Sequence, residues 1–306
     1  GRGPAAINPM EEDDMKFATL KATGGLGVVD AQRGILDLKK AGAGLPGDML
    51  SLINGGEAAL KAVRKAVESA GSWQPYDAKA LLAPIPQMRK NVFCVGRNYK
   101  LHIEEGARAR GVEPTYPKVP EFFSKPPTTV IGPEAPIERH AAHTQQLDYE
   151  VELAIVIGKK TRDAKAEQAL ASVFGYTIVN DVTARDAQRA HGQWFKGKSY
   201  DTFCPIGPAI VTADEFGNPS GHRITLRVNG ETRQDSNTSD LLFNVAQIIA
   251  YLSGALTLEP GDIIATGTPS GVALGMTPQK WLNVGDRVEA EIEGIGILGN
   301  TIVEKL

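Results

Sequence analysis

Cysteine and histidine are scarce in this chain, at two and five residues out of 306. Cys94 and Cys204 lie far apart and form no Cys-x-x-Cys pair, so neither a disulfide framework nor a thiolate zinc site is written here. Both are expected to be buried and reduced. Long apolar runs are missing too. No stretch reaches the roughly 18 residues that span a bilayer, and residues 1–14 lack the apolar segment of a secretory signal. No membrane role follows, and the expected location is cytoplasmic. Charge of one sign is also lacking: the formal net charge is −3 and there is no Lys/Arg run. That leaves no electrostatic footprint for nucleic acid.

Two nucleotide-binding signatures fail in context. Gly192-Gln193-Trp194-Phe195-Lys196-Gly197-Lys198-Ser199 matches the P-loop letter for letter. A P-loop, however, needs a strand before it and a helix after it. Here a helical segment precedes, Pro205 soon follows, and Trp194 and Phe195 would crowd the phosphate. Gly24-Gly25-Leu26-Gly27 leads into a strand rather than a helix, so it is no dinucleotide site.

What is present is a chain of 42% hydrophobic and 23% charged residues with 33 glycines, enough for a large core with many turns. Residues 1–14 are set aside as a tail or expression remnant. Short strands at 17–20, 27–29 and 34–38 and a helix at about 56–69 make 15–85 a small α+β domain. The Pro/Gly-rich stretch 70–86 reads as a linker. Residues 90–306 form the main domain, dominated by strands (91–95, 129–131, 149–157, 174–180, 206–211, 224–228, 262–266 and 287–292). Asn229-Gly230 marks a hairpin. Helices are fewer, at about 163–173, 183–191 and 240–253. Many strands with few crossover helices predict a mixed sheet in an α+β fold.

The most informative segment is Asp148-Tyr149-Glu150-Val151-Glu152-Leu153-Ala154-Ile155-Val156-Ile157. Side chains alternate along a strand, so Glu150 and Glu152 share one face and Tyr149, Val151, Leu153 and Ile155 the other. Either the glutamates meet water at an edge strand, or they are buried and a cation neutralises them. A second strand-like run, 174–180, ends on Asp181. Three carboxylates from neighbouring strands suit Mg2+ or Mn2+, which keep waters that substrate can displace.

Further candidates lie in turns. His102 and Glu105, three residues apart, would share a helix face, as a general base and its orienter do; an exposed surface pair is the alternative. Thr183 with Asp186 reads as a capping box, making Asp186 a helix cap rather than a ligand. Arg185 and Gln188 fall on that helix near the proposed ion, and Lys198 in a glycine-flanked loop. Three carboxylates and one divalent ion sum to −1, so an anionic substrate needs positive charge, which Arg185, Arg97 and Lys198 could supply. The turn around Thr266-Gly267-Thr268-Pro269-Ser270-Gly271 could hold a carboxylate, or be a plain turn.

Together, several segments resemble the fumarylacetoacetate hydrolase superfamily over roughly 90–300, in particular its acylpyruvase-like and hydratase/isomerase-like branch. They are Gly96-Arg97-Asn98-Tyr99 with His102 and Glu105, Phe123-Ser124-Lys125-Pro126, Asp148 to Leu153, Asn180 to Asp186, Gly197-Lys198-Ser199, and Thr266 to Val272. The resemblance implies a mixed β-roll catalytic domain, a small N-terminal domain and a homodimer. It implies that Glu150, Glu152 and Asp181 bind Mg2+ or Mn2+, and that His102 and Glu105 activate water from a lid segment. Arg97, Arg185, Gln188, Lys198 and Thr268 fall where such enzymes grip the oxo-acid end of substrate. Longer members carry a further metal-ligand aspartate where this chain has Val95, which points away from fumarylacetoacetate itself as substrate.

The expected activity is hydrolytic C–C cleavage of a 2,4-dioxo acid of acylpyruvate type, with an enolate held by the metal, water activated by His102, and Lys198 stabilising developing charge. The alternatives are isomerisation, hydration or decarboxylation of a 2-oxo-dioic acid in aromatic catabolism, or ureidoglycolate lysis. A non-catalytic metal-binding protein is the remaining class.

Overall fold

The computed structural model describes residues 15–304; the tail or remnant proposed at 1–14 lies outside them. The backbone of the fold is an eleven-stranded mixed sheet. Its main path runs Gly34–Asp37, Leu26–Asp30, Lys16–Leu20, Cys204–Thr212, Val173–Asn180, Val151–Ile157, Ile263–Ala265, Val92–Gly96, Glu121–Lys125. Most neighbours are antiparallel, but Ile263–Ala265 runs parallel to Val92–Gly96. A five-stranded sheet, in the order Glu231–Asn237, Arg223–Val228, Arg287–Ile292, Gly296–Val303, Ile137–Glu138, packs beside it. The α+β class and mixed sheets anticipated from the sequence are what the chain forms, and the strands do not close a barrel.

Alternation along Val151–Ile157 sorts the core into two layers. Tyr149, Val151, Leu153, Ile155 and Ile157 pack with Ile224, Leu226, Val288, Ala290 and Ile249, from the five-stranded sheet and the helix Val245–Ser253. Ala154 and Val156 face the other way, into a layer with Phe17, Val28, Leu52, Val63, Cys94 and Cys204. Both layers are apolar, so this strand is buried on both faces. Each fully buried Ile, Leu or Val contributes about 1.5–3 kcal/mol. Glu150 and Glu152 have the parity of Ala154 and Val156, which places them in the interior rather than at a wet edge.

Nonlocal pairing ties the N-terminal segment to the rest. Lys16 and Phe17 pair with Val211 and Ile210, so the strands of 15–85 extend the main sheet. The helix there is Met49–Glu68, longer than the 56–69 read from the sequence, with a break at Gly56 (φ 53°) that hides its first turns from a periodicity argument. The helix expected at 163–173 shrinks to Ala166–Ala169 and a 3-10 turn, Leu170–Ser172. That expected at 240–253 starts at Val245, capped by Asn244 and Gln247 in a reciprocal capping box. Asn229 and Gly230, both with positive φ, form the anticipated two-residue hairpin between Arg223–Val228 and Glu231–Asn237.

Candidate metal centre and active site

Strand register assembles the acids. Val151 pairs with Asn180 and Glu152 with Val179, and the Asp181 N–H donates to the Glu150 carbonyl at 2.8 Å. Asp181 therefore leaves its strand beside the glutamates. One oxygen from each of Glu150, Glu152 and Asp181 lies within 4.8 Å of the others. Their exposures are 4%, 1% and 0%.

Three buried cations surround this trio. Lys198 Nζ donates to Glu150 Oε2 and Asp181 Oδ2, each at 2.7 Å. Lys125 Nζ donates to Asp181 Oδ1 at 2.6 Å. Arg185 donates to Glu150 Oε1 at 2.6 Å, to Asp148 Oδ2 at 2.8 Å and to Gln188 Oε1 at 3.2 Å. Glu152 makes no ion pair among the described residues; its Oε2 accepts the Gly267 N–H at 2.8 Å. Burial alone would raise the Glu150 pKa, but Lys198 and Arg185 overrule it and hold that carboxyl well below the usual range. Burial, with Asp181 and Glu150 alongside, pushes Glu152 up instead. Burial works against the Lys198 charge, yet Asp181 and Glu150 raise its pKa, so it stays an ammonium.

The segment that matches the P-loop by letter, and fails it in context, serves packing here. Lys198 ends the short helix Phe195–Lys198, which lies against Arg185–Ala190. A Cβ on Gly197 would sit 2.5 Å from the Gln188 nitrogen and 2.7 Å from the Ala184 oxygen. Glycine is needed there for two helices to touch, and that contact places Lys198, Arg185 and Gln188 together. The proposed capping box is corrected. Thr183 belongs to a two-residue strand paired with Asp148, and its hydroxyl donates to Asp181 O at 2.9 Å. Asp186 accepts from Thr144 Oγ1, the Gln145 N–H and the Ala187 N–H. It fastens the turn at 144–145, and it is no ligand.

His102 and Glu105 lie on the helix Lys100–Arg110. His102 Nδ1 is 3.3 Å from Glu105 Oε2, and Glu105 Oε1 accepts the Gly271 N–H at 2.9 Å. A Cβ on Gly275 would fall 2.0 Å from Glu105 Cγ, so the helix docks onto the 271–275 turn through this carboxylate. His102 is among the groups that lower the Glu150 pKa, after Lys198 and Arg185.

Two expected substrate contacts have other partners. The Arg97 guanidinium bonds the Thr115 carbonyl and lies 3.5 Å from Glu121. Thr268 Oγ1 donates to Val151 O at 2.9 Å and accepts from Gln234 at 2.8 Å. Val95 is buried in the apolar core. Sequence reasoning passed over Lys125, Asp148 and Gln234. Asp148 is fully buried and accepts the Ala273 and Leu274 N–H groups as well as Arg185. Gln234 also receives the Val151 N–H. The available signals were the lysine closing a strand in Phe123-Ser124-Lys125-Pro126, and an aspartate opening an apolar strand.

With Asp148 included, four carboxylates face three cations, a balance of −1 when all are ionised. A divalent ion takes this to +1, and Glu152 is the acid that no side-chain cation pairs. An all-carboxylate donor set without His or Cys fits a hard ion such as Mg2+ or Mn2+ and not zinc. The lysines and the Gly267 N–H supply the outer hydrogen bonds that hold such ligands in orientation.

Comparisons with known proteins identify the family and the fold. Residues 91–303 match the family model described as fumarylacetoacetate (FAA) hydrolase, C-terminal. Oxaloacetate tautomerase YisK of Bacillus subtilis is 42% identical over 304 residues, covering 94% of this chain and all of that protein. A fumarylacetoacetate hydrolase structure from Exiguobacterium antarcticum superposes with a TM-score of 0.81 at 42% identity, over 95% of this chain and all of the other. A maleylpyruvate hydrolase of Sphingobium sp. SYK-6, in complex with manganese(II) and pyruvate, gives 0.76 at 32% identity, over 95% and 100%. The chain belongs to the fumarylacetoacetate hydrolase family.

Proposed function

We propose that this protein is a divalent-metal-dependent isomerase of a short 2-oxo dicarboxylic acid of the oxaloacetate type, moving a proton between C3 and the 2-oxo oxygen. The observation that carries it is the His102–Glu105 pair, docked by the Gly271 N–H onto the turn whose Gly267 N–H bonds Glu152 of the buried acid trio. When bound, a divalent ion at Glu150, Glu152 and Asp181 would polarise the 2-oxo group and acidify the neighbouring C–H. Glu105 faces Nδ1, which fixes the tautomer with its proton there and leaves His102 Nε2 as the base that takes the C3 proton. Lys198 and Arg185 supply positive charge for the substrate carboxylate and for the oxygen on which charge develops. The full-length similarity to an oxaloacetate tautomerase supports this reading.

A second reading, hydrolytic C–C cleavage of a 2,4-dioxo acid, uses the same residues with water in place of the C3 proton as the base's target. Similarity to a maleylpyruvate hydrolase bound to manganese and pyruvate supports it. Enol oxaloacetate and an acylpyruvate, each incubated with protein and Mg2+, separate the two. Accelerated enol–keto interconversion without cleavage of the acylpyruvate supports the first. Pyruvate release from the acylpyruvate with no effect on oxaloacetate overturns it in favour of the second.

A further inference from the structure

Lys125 ends the strand Glu121–Lys125, opposite Val92 in register, and its side chain is 0% exposed. A buried ammonium costs several kcal/mol unless charges and hydrogen bonds compensate it. Here Nζ donates to Asp181 Oδ1 at 2.6 Å and to the Val182 carbonyl at 3.0 Å. The other Asp181 oxygen is held by Lys198, which also reaches Glu150. The two lysines are therefore not equivalent. Lys198 lies between two acids, whereas Lys125 bonds Asp181 and the main chain just after it, and neither glutamate. Held at Oδ1 by a group anchored to its own following carbonyl, the Asp181 carboxylate keeps Oδ2 on the glutamate side.

We propose that Lys125 is a positioning residue for Asp181. It fixes the rotation of that carboxylate so that one oxygen is already presented to a divalent ion. The inference rests on the metal-site reading above, and its natural readout is ion affinity. Mn2+ binding, followed by the electron paramagnetic resonance of the free ion, is compared in the intact protein and in Lys125→Met, Lys125→Gln and Glu152→Gln. Outer-shell partners of ligands typically contribute 10–100-fold to affinity, so Lys125→Met should bind Mn2+ about 10–100-fold more weakly. Lys125→Gln keeps a neutral donor and should lose less. Glu152→Gln, which removes a ligand, should lose most. A lower melting temperature with Mn2+ affinity within about twofold of the parent, in either lysine variant, marks Lys125 as structural and overturns the inference. Where Lys125→Met does not fold, Lys125→Gln decides by the same criterion. Failure of the parent itself to bind Mn2+ overturns the metal site together with this inference, and so is distinguished from failure of the inference alone.

Discussion

The two halves of the site are built in opposite ways. Glu150, Glu152 and Asp181 sit on or beside central strands, bonded to lysines, an arginine or a backbone amide. His102 and Glu105 ride on an eleven-residue helix whose N-terminus has no side-chain cap and whose Leu101 is 61% exposed. Just before that helix stands Arg97, a non-glycine residue at φ 53°, next to the fully buried Asn98, whose amide bonds Thr266 and Phe243. Such a backbone conformation is tolerated where its surroundings over-determine it. The acids are thus rigid because their charges must be shared. The base is on a partly exposed helix, held to the 271–275 turn through Glu105.

The comparison breaks most completely if the rigid half is disarmed. Glu152→Gln should lower turnover by about 10³-fold through loss of the metal, while hydrogen exchange over the helix Lys100–Arg110 stays at the parent rate. Acceleration of that exchange would show that the halves are not separable. Next in size is His102→Ala, expected to cost about 10²–10⁴-fold in turnover with Mn2+ affinity retained; turnover within about threefold of the parent would remove His102 as the base. Gly275→Ala sharpens the contrast from the side of the helix. Its Cβ displaces Glu105, and overpacking of this kind costs about 1–3 kcal/mol. It should appear as faster exchange in the helix Lys100–Arg110 and a pH–rate profile shifted with the loss of the imidazole's orienter. The smallest effect belongs to Arg97→Gly, which removes the bond to Thr115 but relieves the positive φ. Exchange over 111–119 should rise by only a few-fold, as for one net hydrogen bond of about 1 kcal/mol.

What could be read from the sequence was whatever a single element encodes. The two glutamates declare a shared face because strand periodicity is local, and Asp181 follows because it closes the next strand. The i, i+3 spacing of His102 and Glu105 showed that they could share a helix face, but the eleven-residue helix that carries them was not among those expected. Lys125 was not legible, since a lysine before a proline reads as surface charge until the fold wraps Asp181 around it. Asp186 misled for the same reason. Its Thr183 neighbour looks like a cap in one dimension, but strand pairing with Asp148 claims that threonine first. Arg97 and Thr268 showed only that they lie near the chemistry. Their side chains are engaged by Thr115 and Val151, and contacts so distant in sequence leave no periodic trace.

The pairing of Lys16 and Phe17 with Val211 and Ile210 has a practical consequence. The strand Lys16–Leu20 covers the Ile210–Val211 end of Cys204–Thr212, a strand buried along its entire length whose other end pairs with Val130–Ile131. Trimming the protein to its family-matched region would bare a greasy, unprotected ladder, the template on which chains stick to one another. The N-terminal segment is in that sense a built-in guard against aggregation, and shortened versions should precipitate before their chemistry can be assayed.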